Sequence, residues 1–177
     1  MAKRGVALSA QDLREVTRYA AESAQDVLDR FEAAHPHDSR PRAAIDAAWA
    51  FARGGDRGKA LRDTAWAALK AAGEAGPTAA GEAARAAMAA AGAAYLHPLA
   101  EATQVKHILG SASHAARAVE LAFGGDPEVG AAHLEQVGRR ASAGLVDVLV
   151  RYPAAPSGGG RVGELMRELD RALRLRA

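Results

Sequence analysis

Gln104-Val105-Lys106-His107-Ile108-Leu109-Gly110-Ser111-Ala112-Ser113-His114-Ala115-Ala116-Arg117-Ala118-Val119-Glu120-Leu121-Ala122-Phe123-Gly124-Gly125-Asp126-Pro127 reads as one amphipathic helix followed by a marked stop and the start of a second helix. At about 100° per residue, Val105, Ile108, Leu109, Ala112, Ala116 and Val119 fall on one face of a helix. The stop is equally clear. Gly124-Gly125 can take the left-handed backbone that closes a helix, Asp126 can cap the next one, and Pro127 suits a first helical position because it has no amide to leave unpaired.

The same signals recur outward from this stretch. Upstream, Thr78 is a cap for an alanine-rich helix over residues 79–96, which carries Met88, Tyr95 and Leu96 and is interrupted by His97-Pro98. Before it, residues 57–72 offer Leu61, Ala65, Ala68 and Leu69 to a core, with Trp66 at the edge of that stripe. A helix carrying Ile45, Trp49 and Ala52 ends at Gly54-Gly55, with Ser39 and Asp56 as candidate caps around it. The first helix is expected from Ser9, with Asp12 completing a capping box, to about Ala34. Downstream, one helix reads from Pro127 to about Tyr152. Residues 153–160 form a Pro/Gly linker, and Val162, Leu165, Met166, Leu169 and Leu173 make one stripe of a last helix.

No alternating strand pattern of useful length appears. The expectation is therefore an all-α fold, a compact bundle of six to seven antiparallel helices with short loops. Residues 1–177 are expected to form a single helical domain: a body over 9–152, the linker over 153–160 and a docked amphipathic helix over 161–176.

Composition narrows the chemistry. The chain has 177 residues, 49% hydrophobic and 25% charged, with no cysteine, which excludes disulfides, thiolate metal sites and cysteine nucleophiles. Aromatics are only 5%, so helices must approach closely through alanine. A net charge of +2 suggests no nucleic-acid partner. Met1 to Ser9 lacks an apolar run of signal length and no stretch reaches the roughly 18 apolar residues of a membrane span, so a cytoplasmic protein without a membrane partner is expected.

On the helix around residue 107, Gln104, His107, Ser111 and His114 line up apart from the apolar face. Such a row can line a cavity and bind a polar ligand, with His97 or the loop from His35 to Arg42 on the opposite wall; the competing reading is a stripe facing water. Arg40 and Arg42 could clamp a carboxylate or phosphate, or could serve the turn and a neighbouring helix. Trp49 and Trp66 could wall a ligand, although anchoring the core is the commoner role. His107 and His114 stand two turns apart, about 10 Å, too far to share a tetrahedral ion; with His97 and Glu101 they do not make a metal site, and no metal or cofactor is expected.

The block Ala20-Ala21-Glu22-Ser23-Ala24-Gln25-Asp26-Val27-Leu28-Asp29-Arg30-Phe31-Glu32, then His35-Pro36-His37-Asp38-Ser39-Arg40-Pro41-Arg42 and Ala47-Ala48-Trp49-Ala50-Phe51-Ala52-Arg53-Gly54, resembles the bacterial immunity-protein-five-like family. Tyr95-Leu96-His97-Pro98-Leu99, Gln104 to Gly110 and Gly163-Glu164-Leu165-Met166-Arg167-Glu168-Leu169-Asp170 resemble its longer members from high-GC bacteria. The resemblance implies an all-α protein that neutralises a toxin protein or toxic small molecule by binding, without established catalytic residues. The alternative is a small helical enzyme or small-molecule binder built on the Gln104, His107, Ser111 and His114 row. A homodimer closed by exchange of the last helix is a further expectation.

Overall fold

In the computed structural model, residues 5–177 are described. They form α-helices α1 (Ala10–Gln25), α2 (Leu28–Ala34), α3 (Arg40–Ala52), α4 (Lys59–Ala75), α5 (Ala79–Ala93), α6 (Val105–Ala122), α7 (Pro127–Arg140), α8 (Ala143–Leu149) and α9 (Gly160–Arg174), with a 3-10 turn at Ala102–Gln104. The all-α expectation holds, and the helix count exceeds it because two of the expected helices are each broken in two.

The first break falls at Asp26-Val27, where Val27 leaves helical geometry at φ −122°. Val27, Leu28 and Phe31 are buried, and α2 packs on α5, a direction that a straight continuation of α1 could not take. Asp26 also pairs with Arg140 of α7. The second break is at Ala141-Ser142: Ala141 is extended, and the Ser142 hydroxyl accepts from the Leu145 amide to start α8. Both breaks turn apolar side chains inward at the cost of a few helical hydrogen bonds.

Capping follows the sequence at Ser9–Asp12, Thr78 and Asp126. At two positions it differs. Ser39 makes no cap; the Asp38 carboxylate accepts from the Arg40 amide instead. Asp56 is likewise replaced, by Gly58, at the start of α4, where no side chain caps the helix.

α5 is the central element, packed against α1, α2, α3, α4 and α6. Ala83, Ala84, Ala86, Ala87, Ala90, Ala91 and Ala93 are fully buried on it, so its neighbours approach to methyl-group distance. The bulk of the core comes from facing helices: Phe31, Leu28, Ile45, Ile108 and Leu109, each worth about 1.5–3 kcal/mol on burial. α6 completes the centre and carries α7 and α9 on its other sides.

Trp49 is half-buried against the core beneath the Arg53 guanidinium, 4.9 Å from its ring centre. Trp66 is 70% exposed, and Leu69 of the same helix is exposed too, so the expected anchoring role of Trp66 is corrected. The stripe of α4 that reaches the core runs through Leu61, Ala68, Ala71 and Ala72, and Trp66 stands outside it.

The Pro/Gly linker is pinned along its length. Arg174 donates to the carbonyls of Leu149, Tyr152 and Pro153, Arg167 to those of Pro156 and Gly158, and the Ala155 amide donates to Asp170. Gly158, Gly159 and Gly160 all take positive φ, which glycine alone adopts freely, and the chain thereby turns into α9. Arg161, at the start of α9, binds the fully buried Glu120 of α6 at 2.5 Å, and Arg117 binds the same carboxylate at 2.8 Å.

Candidate functional site

The pinned linker and the first turns of α9 lie over α5 and α6 and leave between them a cleft of about 550 Å³. This is within the range of roughly 300–1,000 Å³ common for small-molecule sites. Its floor is made by Glu82, Arg85, Met88 and Gly92 of α5 and by Lys106, His107, Gly110 and His114 of α6; its roof is residues 156–159 with Val162, Gly163 and Met166.

The expected polar row divides among three environments. His107 and His114 line the cleft. Ser111 lies between them in sequence yet is buried, its hydroxyl 2.7 Å from the Ala20 carbonyl and 3.0 Å from that of Ala86. It ties α6 to α1 and α5, which satisfies a hydroxyl in a dry interface. Gln104 turns away as well, its side-chain oxygen accepting from the His97 amide at 2.9 Å. His97 is exposed and is not in the cleft wall; its carbonyl accepts from the Tyr152 hydroxyl.

In the His35–Arg42 loop, Arg40 is held by Asp38 at 2.6 Å and by Glu74 of α4 at 2.5 Å, while Arg42 is held by Glu32 of α2 at 2.6 Å. The two guanidiniums therefore serve different carboxylates and do not converge on one point. Arg40 holds the carboxyls of Asp38 and Glu74 below their usual range. Glu32, His37, Asp38, Ser39 and Arg42 surround a separate dimple.

Each cleft histidine is oriented by its other ring nitrogen. His107 Nδ1 is 2.9 Å from the Gly92 carbonyl, which can only accept, so Nδ1 carries the proton and Nε2 holds the lone pair in the neutral ring. His114 Nδ1 is 2.6 Å from Glu82 Oε2. Burial pushes the His107 imidazole below its ordinary value of 6.5, with the Gly92 carbonyl opposing part of that shift. His133 of α7 is also pushed down by burial.

A pH dependence of stability follows. Below about pH 6.5 an unfolded histidine takes up a proton that the folded His107 and His133 resist, so the unfolded state binds more protons and stability falls as pH drops. The contribution is complete above about 6.5 and lost on going down through the window beneath it. The urea midpoint should therefore decrease from pH 7.5 to about 5.5, a range that stays above the carboxylates held by Arg40 and Arg151. His107→Gln combined with His133→Gln should flatten that slope, and an unchanged slope in the double variant would refute the assignment.

Glu82 and Arg85 were not anticipated as site residues, although a signal exists. They are the only charged residues in the alanine-rich run from 79 to 96, and they stand one turn apart. The roof had no such signal, because a Pro/Gly stretch says nothing about what it covers.

Among the described residues no group of three or more His, Asp or Glu could hold a metal ion, and no helix is long and apolar enough to cross a membrane. The molecule is thus an alanine-cored helical bundle with two oriented histidines in a cleft under its C-terminal segment. Residues 7–142 match the family model described as "Imm-5 like putative immunity protein", and the chain belongs to that family. Neither curated proteins nor solved structures give a match. The matched span takes in α1 to α7 and hence the cleft floor, while α8, the linker and α9 lie beyond it.

Proposed function

We propose that the protein neutralises a toxin protein by binding it, without chemistry, through the outer face of α4. The observation that carries this reading is Trp66, 70% exposed in a chain with only two tryptophans. Lys59, Arg62, Leu69 and Lys70 are exposed on the same helix; of its two acids, Asp63 is paired with Lys59 and Glu74 with Arg40 of α3. An exposed Trp on a helix whose Arg62 and Lys70 make no ion pair among the described residues fits an acidic partner surface. Trp and Arg are enriched among the side chains that dominate binding energy at interfaces, Trp because it buries a large rigid area with only two side-chain torsions. Family membership supports the same reading, and α4 lies inside the matched span.

The test is co-expression with a candidate toxin, reading growth rescue and co-purification. Trp66→Ala should weaken the complex by about 2–4 kcal/mol, enough to abolish rescue, with an unchanged melting curve because the ring is in water. Rescue by the wild type no better than by an unrelated helical protein, or full rescue by Trp66→Ala, would overturn it.

A further inference from the structure

The cleft under α9 sets unsatisfied positive charge beside apolar side chains. Arg85 Nη1 lies 3.6 Å from Glu82 Oε1, beyond hydrogen-bond reach, and is buried without any other acceptor. Glu82 is engaged on its other oxygen by His114 at 2.6 Å, so it is not free to close fully on Arg85. Lys106 is exposed at the same cleft and makes no ion pair among the described residues. Two cations, Arg85 and Lys106, thus stand in the wall beside the carboxylate of Glu82, which His114 already engages. The apolar part of the lining is Met88 and Met166, whose flexible thioethers adapt to varied shapes, together with Val162.

We propose that this cleft binds an organic monoanion, a carboxylate joined to an apolar chain or ring. The carboxylate satisfies Arg85 and Lys106, and the apolar part lies against Met88, Val162 and Met166. A carboxylate matches the guanidinium fork of Arg85, whereas a phosphate dianion carries a second negative charge toward the neighbouring Glu82 carboxylate. A neutral alcohol leaves the Arg85 N–H without a charged acceptor. The assignment does not rest on the toxin-binding reading, because α4 contributes nothing to this wall.

The experiment is calorimetric titration of the full chain at pH 7.5 with octanoate, octanol, acetate and octyl phosphate. Octanoate should bind one to one, with octanol, acetate and octyl phosphate each about tenfold or more weaker, since the charged pair and the buried tail each contribute at least that factor. Arg85→Gln should weaken octanoate about tenfold and leave octanol unchanged. Lys106→Gln, at an exposed position that cannot disturb the fold, should weaken octanoate by a smaller factor, and Lys70→Gln on α4 should change nothing. No binding of octanoate at millimolar concentration, equal binding of octanol or of acetate, tighter binding of octyl phosphate, or wild-type octanoate affinity in both Arg85→Gln and Lys106→Gln would each overturn the proposal. Neither outcome bears on growth rescue through Trp66, so the two readings fail separately.

Discussion

Gly130→Ala is expected to lower the unfolding free energy by about 3–5 kcal/mol, an unusually large effect for adding one methyl group. Gly130 is buried on α7, and a Cβ there would overlap the Cγ and carboxylate of Glu120, with Cδ only 2.5 Å away. Glu120 cannot step aside cheaply. Its side chain is fully buried and accepts from Arg117 at 2.8 Å and from Arg161 at 2.5 Å, the second of which holds the start of α9 to α6. Displacing the carboxylate breaks both pairs in a dry interface and leaves a charge without compensation.

The mechanism makes a second demand. In a Glu120→Ala background the clash is gone, so the double variant Glu120→Ala/Gly130→Ala should be no less stable than Glu120→Ala alone. Urea unfolding of the four proteins gives the coupling directly. If Gly130→Ala is equally damaging with and without Glu120, the cause lies in the α7 backbone and the contact assigned here is wrong.

Gly81→Ala should cost about 2–4 kcal/mol for a related reason at the start of α5. Gly81 is in the first turn of α5, and its added Cβ would collide with the Gly76 carbonyl oxygen and stand 3.2 Å from the carbonyl carbon. These are backbone atoms, so no rotamer change relieves them. The turn from α4 to α5 must open, and opening it disturbs the Thr78 hydroxyl that caps the Gly81 amide at 3.0 Å. Gly73→Ala in α4 is the matched control: nothing stands within 4 Å of its Cβ, and removing a glycine from a helix interior should raise stability by about 0.5–1 kcal/mol. Thermal melts should move in opposite directions for the two variants; a shift of the same sign in both would show that general helix propensity governs the site.

These two glycines also mark how far local reading reaches. Gly81 and Gly130 stand in helices whose caps, Thr78 and Asp126-Pro127, were legible, yet nothing near either glycine in sequence shows why a side chain is excluded. The reason at Gly130 is a carboxylate ten residues earlier, swung across by an arginine that follows 41 residues after it. The breaks at Asp26-Val27 and Ala141-Ser142 are of the same kind. Ser142 caps α8 where the sequence reads as one uninterrupted helix, and Val27 and Leu28 leave the line of α1 where α2 packs on α5.

The candidate site was half legible. Spacing placed Gln104, His107, Ser111 and His114 along one edge, and the cleft takes His107 and His114 from it. Ser111 went instead to the carbonyls of Ala20 and Ala86, because α1 and α5 both press on that part of α6. Arg40 and Arg42 were paired by carboxylates on different helices, and sequence order could not say which.

The helices and most of their ends are legible locally, since a cap, a stop or a periodic face is satisfied by groups a few residues away. The sequence also settled that helices would meet closely through alanine, because alanine dominates the apolar residues and aromatics are only 5%. Tertiary structure alone decided which edge of α6 is roofed, which arginines are occupied and where the free guanidinium N–H of Arg85 stands. Those outcomes depend on desolvation and charge pairing between segments distant along the chain, and no local propensity carries that information.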